Sequence, residues 1–238
     1  MSKTKKAVII GSVLVGIGVI IGVIAIAIGG FKFPNGEVDL TTMKALRTEK
    51  KTVQITDTFD KIEIAGASSM DIEICKSETG ENYVEYYDTD DWTSHVDVKD
   101  YVLKFTTDDK GKHKAIVSLG FGKDTRTRIY LTDAEYKEIS VITMSGSVSI
   151  WNVSTESLNV STSSGDMDLV DVTAKQMKLA AHSGDIEMQN VTAESLNVST
   201  SSGDIGLLDV TAKQMKLDAS SGDIDLECCD AEGFDITT

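Results

Sequence analysis

LNVSTSSGDMDLVDVTAKQ (158–176) is followed without interruption by MKLAAHSGDIEMQNVTAES (177–195), LNVSTSSGDIGLLDVTAKQ (196–214) and MKLDASSGDIDLECCDAEG (215–233). ISVITMSGSVSIWNVSTES (139–157) precedes them as a more divergent copy. Ser-Gly pairs at 145–146, 164–165, 183–184, 202–203 and 221–222 set a period of 19 residues. Residues 152–189 and 190–227 agree at 28 of 38 positions, the mark of a duplicated two-copy unit.

The first and third positions of every copy are apolar (Ile139/Val141, Leu158/Val160, Met177/Leu179, Leu196/Val198, Met215/Leu217), with polar residues between. This period of two predicts a strand with one buried face. A second alternating run follows the Ser-Gly pair, at Val148/Ile150, Met167/Leu169, Ile186/Met188, Ile205/Leu207 and Ile224/Leu226. We therefore expect two short strands in each 19-residue rung. A further apolar column runs through Val153, Val172, Val191 and Val210 to Cys229, which places Cys229 inward and Cys228 in the neighbouring Asn/Asp column. One such rung cannot bury its own apolar face, so the copies must stack as an all-β solenoid. Glycine at the break is expected to meet a need for positive φ, and the Asp after it to accept turn amides.

The eighteenth column tests this stacking. Glu156, Lys175, Glu194, Lys213 and Glu232 alternate in sign without exception. Parallel stacking sets such residues about 4.8 Å apart, so that unlike charges face each other, which a sandwich or propeller does not require. The Asp column (Asp166, Asp185, Asp204, Asp223) instead lines up like charges. It reads as a ladder of structural turns; a cation-binding staircase is the alternative, and these four are the candidate metal ligands. The calcium β-roll signature, with paired glycines at a period near nine, is missing. No cofactor is implied.

Outside the repeats, residues 7–30 (AVIIGSVLVGIGVIIGVIAIAIGG) run uncharged for 24 positions, enough to cross the hydrocarbon core as a helix. MSKTKK in front of it holds the N-terminus in the cytoplasm by the positive-inside rule and sends the rest of the chain outward. A cleaved signal peptide ending near Ala25-Ile26-Ala27 competes, but the apolar run exceeds the usual signal core. Four lysines (Lys3, Lys5, Lys6, Lys32) precede every acidic residue, which leaves the remainder at −19, with 19 cationic against 38 acidic side chains. Such a surface repels phosphate backbones, so nucleic acid is not an expected partner.

The organisation is then 1–6 cytoplasmic, 7–30 transmembrane helix, 31–50 linker, 51–138 a degenerate β-region, and 139–238 repeats with an incomplete last rung. FDKIEIAGASSMDIEIC (59–75) has the logic of a rung, with Ile62/Ile64, a small-residue turn and Ile72/Ile74. NYVEYY (82–87), VKDYVLKFTT (98–107), KAIVSLGF (114–121) and RTRIYLT (126–132) are further strand candidates. FDITT (234–238) opens a sixth rung and stops before its turn, so either the chain is truncated there or that edge meets a partner, and end-to-end self-association or a weakly held last rung is expected.

His95, His113 and His182 are scattered and share no ligand or catalytic spacing with a carboxylate or thiol. Cys75, Cys228 and Cys229 make no disulfide framework, although pairing with Cys75 is left open. DTDDW (88–92) reads as a solvated loop, with cation binding the alternative. The basic N-terminus, the membrane segment, TRIYLTDAEYKEISVITMSGSVSI (127–150) and the SSGDI rungs together resemble the “putative adhesin” family of bacterial single-pass membrane proteins. That resemblance covers 51–238 and implies a β-solenoid at the cell surface, no catalytic residues, and in some members a genomic setting near envelope-stress regulators. Three functions follow as expectations: an adhesin-like module for a protein or wall polymer, an envelope-stress accessory or sensor, and, last, a polysaccharide enzyme. The enzyme is disfavoured because the repeats offer only Trp151 and Phe234 as aromatic platforms.

Overall fold

Stacking gives each rung what it lacks alone, a neighbour for both its backbone and its apolar face. The computed structural model describes Lys32–Phe33, Gly36–Glu37 and residues 49–67, 70–88, 92–109 and 126–238. β1 (Lys32–Phe33) and β2 (Gly36–Glu37) pair antiparallel within one unit of the chain. Everything below belongs to the second unit, built from residues 48–111 and 120–238. The predicted membrane segment 7–30 lies outside the described residues, among which no helix is long and apolar enough to cross a membrane. KAIVSLGF and His113 also lie outside them.

β11 (Val148–Thr162), β12 (Met167–Ala181), β13 (Ile186–Thr200) and β14 (Ile205–Ala219) lie side by side and parallel. Their register is constant at 19, with Met167 beside Ile186, Leu179 beside Val198 and Met177 beside Leu196. The solenoid expected from the repeat is therefore present, but each rung has three inward runs and not two. In β12 the buried residues are Met167 and Leu169, then Val172 and Ala174, then Met177, Leu179 and Ala181. Alternation slips between Leu169 and Val172 and again between Ala174 and Met177.

The first slip is a corner made by one left-handed residue. Asn152, Asp171, Asn190, Asp209 and Cys228, each 19 after the last, have φ of 56, 57, 52, 54 and 55°. Asn and Asp visit this region at the least cost of any residue with a Cβ, which explains the Asn/Asp column. The middle run was hard to see because it has only two inward places, Val and a small residue: Thr155, Ala174, Ala193 and Ala212 are buried beside the valines.

The Ser-Gly corner also differs from expectation. None of its glycines has a positive φ. Glycine is required because a Cβ on Gly165 would lie 2.1 Å from the Gly146 carbonyl oxygen, and one on Gly184 2.2 Å from that of Gly165. Rungs touch backbone to backbone at this corner. Thr162 and Thr200 help to hold it, donating to the carbonyls of Gly146 and Gly184 at 3.4 and 3.1 Å.

The stack continues below the repeats in an order that the chain does not follow. β10 (Glu135–Thr143) pairs parallel with β4 (Lys61–Ala67), and the start of β11 with β5 (Ile72–Lys76). Ile62 and Ile64 thus meet Ile139 and Val141, while Ile72 and Ile74 meet Val148 and Ile150. The degenerate rung read at 59–75 is real and supports the first repeat directly. Beneath it lie β8 (Val102–Asp109), parallel to β4, and β9 (Thr127–Leu131), parallel to β5. β7 (Trp92–Lys99) then runs antiparallel to β8, β6 (Tyr83–Asp88) antiparallel to β9, and β3 (Glu49–Gln54) antiparallel to β6.

VKDYVLKFTT is accordingly a hairpin and not one strand. Asp100 and Tyr101, at φ 52 and 63°, turn β7 into β8. Two consecutive left-handed residues give the twist that a two-residue hairpin loop needs. At the opposite end β15 (Ile224–Glu227) and β16 (Asp230–Thr237) both lie parallel to β14.

Candidate functional site: outer columns and the last edge

The constant register turns every outward residue into a column. Along the turns, Asp71 Oδ1 accepts the Ser147 amide at 3.0 Å, and the Asp166 amide reaches Ser147 Oγ at 3.4 Å. Asp166, Asp185 and Asp204 then accept the amides of Asp185, Asp204 and Asp223 at 3.0, 2.8 and 2.8 Å. Each carboxylate thus caps the backbone of the next rung, as the structural reading of this column required. Asp166, Asp185, Asp204 and Asp223 are brought into one line, but each of the first three spends an oxygen on an amide. No cluster of three or more His, Cys, Asp or Glu able to hold a metal ion occurs among the described residues. Asp71 and Ser147 are ladder members that the sequence reading passed over; the Asp-Ile step at Asp71-Ile72, like that at Asp185-Ile186, was the available signal.

The alternating column begins one rung earlier than expected, at Lys137, which pairs with Asp60 at 2.5 Å. Lys175 binds Glu156 at 2.6 Å and Lys213 binds Glu194 at 3.1 Å. The hydrogen bond from Lys175 holds the Glu156 carboxyl below its ordinary range, and Glu156 in turn raises Lys175. Charges therefore pair two by two up the column. Glu232, the last, has no ion-pair partner among the described residues.

One groove lies over the outer side of the run after the Ser-Gly corner, lined in part by Asp168, Glu187, Asp225 and Glu227. Gly206 opens it, since a Cβ there would meet only Glu187 Cγ, at 4.0 Å. In register on the same side, Glu73 is buried and takes Arg128 Nε at 3.1 Å and Arg126 at 3.7 Å. Tyr83 and Tyr130 stack beside it, ring centroids 4.2 Å apart. Burial, helped by Glu73, pushes the adjacent Cys75 thiol up to about 11.

The remaining candidates do not converge. His95 meets Asp108 at 3.1 Å on the surface, and His182 is an exposed turn residue. Asp88 of the DTDDW stretch is bound by Lys51 at 2.5 Å and accepts the Ser94 amide at 2.9 Å, whereas Asp90 and Asp91 lie outside the described residues. Cys75, Cys228 and Cys229 are free thiols. Cys229 points inward, as its column predicts, with Sγ 3.4 Å from the Leu207 carbonyl oxygen.

The last rung exposes what every other rung hides. Leu226, Phe234 and Ile236 are 38, 48 and 45% exposed, while Leu207, Met215 and Leu217 directly beneath them are 2, 1 and 0%.

Solved structures resemble the chain in outline. A putative adhesin from Bacteroides fragilis NCTC 9343 is 19% identical, with 81% of this chain and 97% of that one covered and a TM-score of 0.42. A putative cell adhesion protein from Clostridium sporogenes ATCC 15579 is 14% identical, covering 76% and 99%, at 0.43. A putative lipid binding protein from Parabacteroides distasonis ATCC 8503 is 19% identical, covering 80% and 94%, at 0.39. No curated protein matches. The family model described as Toastrack DUF4097 matches residues 59–237, from the start of the degenerate rung to the last strand, and the chain belongs to that family.

Proposed function

We propose that this chain is a membrane-anchored extracellular interaction module, adhesin-like and without catalytic activity. The observation that carries the reading is the unbroken 19-residue register, which repeats outward Ser, Thr, Asn and Asp side chains at every rung. A surface with a repeat near 4.8 Å suits many weak, equivalent contacts with an extended partner, a polypeptide or a wall polymer. The uncharged run at 7–30 with its basic flank supports anchoring, and the excess of carboxylates along the groove favours a neutral or basic ligand.

Crosslinking on intact cells, followed by recovery of the full-length chain, tests this. Wall polymer or a host-surface ligand crosslinked to the rungs supports the module. Recovery of a histidine kinase or its membrane inhibitor in its place moves the assignment to an envelope-stress accessory.

A further inference from the structure

Building on the interaction-module reading, we propose that the outward column Trp151, Val170 and Leu208 is a docking stripe, and that its occupant is a basic amphipathic helix of a partner protein. In β11–β14 this is the one outward column with large apolar side chains; the others are polar, charged or small. Trp151, Val170 and Leu208 stand in register and partly exposed, with Gln189 between the last two. Below Trp151 the column continues through Cys75 and Tyr130 to Tyr83, each also partly exposed. On a surface this polar, a continuous apolar stripe marks an interaction site.

The flanks of the stripe set the chemistry of its partner. Ser149, Asp168, Glu187 and Gly206 run along one side, two residues earlier in each strand. The left-handed corner residues Asn152, Asp171, Asn190 and Asp209 run along the other. Segments 149–152, 168–171, 187–190 and 206–209 together hold four carboxylates and no basic residue. None of the four has an ion-pair partner among the described residues. Gly206 leaves room for a long cation to reach the Glu187 carboxylate, since a Cβ there would meet only Glu187 Cγ, at 4.0 Å. The fitting partner is therefore apolar along its centre and cationic on both sides. An anionic membrane and a second copy of this face both bring like charge against it.

Spacing then selects the partner's conformation. Rungs repeat about every 4.8 Å, and an α-helix returns a side chain to the same side about every 5.4 Å. The mismatch is about 0.6 Å per rung, so a helix drifts only ~2 Å over the three steps from β11 to β14. An extended strand returns to one side about every 6.8 Å and is out by more than a whole rung after the same three steps. A helix along the stack axis thus sets one turn on each rung, with its apolar side on the stripe and Lys or Arg over each flank, the arrangement of helix-in-groove recognition.

The test holds the full 238-residue chain in phosphatidylcholine nanodiscs and offers two labelled peptides of one composition, AKLKAKLKKLKAKLKA and KLKLKAKAKAKAKLKL. The first gathers its leucines on one side of a helix between two rows of lysine; the second sets its apolar residues on one side of a strand. Fluorescence anisotropy, with empty discs subtracted, should give the first about tenfold tighter binding, because it alone reaches the stripe and both rows of carboxylates together. Val170→Ser combined with Leu208→Ser leaves the charge unchanged and should abolish that preference. Asp168→Asn combined with Glu187→Gln should weaken both peptides. Equal binding of the two peptides, binding of neither, or a preference that survives the serine variant overturns the proposal. Sedimentation that finds a dimer lost in the serine variant overturns it in favour of a second copy. A photoreactive residue at position 170 that captures wall polymer on intact cells overturns the helix and leaves the interaction module standing; the module itself fails only when no face of the chain captures a ligand.

Discussion

The two ends of the stack are closed in different ways. Below the degenerate rung the chain reverses direction: β7 runs antiparallel to β8 and β6 antiparallel to β9, with β3 beyond. These outer strands carry charges paired across the sheet, Lys50 with Glu85 at 2.9 Å and Lys51 with Asp88 at 2.5 Å. At the other end β15 and β16 keep the parallel register of β14 and present apolar side chains. A solenoid propagates through identical neighbours, so it is stopped only by strands that break the rule it is built on. The lower end breaks that rule and the upper end obeys it.

Two phenylalanines make the contrast measurable. Phe105 of β8 is 1% exposed beneath Ile64, and Phe234 of β16 is 48% exposed above Met215. We expect Phe105→Ala to cost about 3–5 kcal/mol, the usual range for a buried aromatic. Phe234→Ala should cost about 1 kcal/mol, because half of its surface is already in water. Urea unfolding of both variants, read by near-ultraviolet circular dichroism, gives the ratio. Equal losses would mean that the upper edge is as well packed as the lower.

Backbone contact at the Ser-Gly corner supplies the next effect. A Cβ at Gly165 must displace the Gly146 carbonyl within a stack fixed on both sides, so Gly165→Ala should cost about 1–3 kcal/mol. Gly222 is as tight, 1.9 Å from the Gly203 carbonyl oxygen, but its rung is free to lift away. Gly222→Ala should therefore destabilise less and act locally, as faster amide hydrogen exchange at 220–227 with the interior rungs unchanged.

Much of this was legible in the residues. The period, the Asp ladder, the rung at 59–75 and the inward Cys229 all follow from columns of one residue type at constant spacing. The third inward run was not, because a run with two inward places, one filled by alanine, gives too little contrast against its polar neighbours. The order of the stack was hidden for a different reason. Which segment lies beneath 59–76 is decided by long-range pairing of β8 and β9. Neither carries the Ser-Gly mark that numbers the repeats. The left-handed corner sat in plain view as the Asn/Asp column, read for polarity and not for φ. It also has a test. Cysteine tolerates φ 55° less well than Asn, so Cys228→Asn should stabilise the last rung by about 0.5–1 kcal/mol, and Asp171→Ala should cost about 1 kcal/mol. Local exchange protection and the urea midpoint report the two.

The charge column gives the smallest effect and the one most specific to register. Lys175 lowers the Glu156 carboxyl by a hydrogen bond, so the folded chain holds that proton less readily than the unfolded one. The contribution of the pair is then fully present above the unfolded carboxylate pKa of about 4.3 and is lost as pH falls through the lower folded value. Lys175 is raised by the same contact, so the contribution also fades as pH climbs past the ordinary lysine range. Both groups lie at the surface, and salt should weaken the effect further. The difference in melting temperature between the native chain and Glu156→Gln should be small at pH 7, shrink as pH falls through the lowered folded carboxyl value, and shrink in 1 M salt. Glu232→Gln, at the unpartnered top of the same column, removes no ion pair. If it changes the melting temperature with the same pH profile as Glu156→Gln, the upper edge is already occupied in solution, and the difference between the two ends disappears.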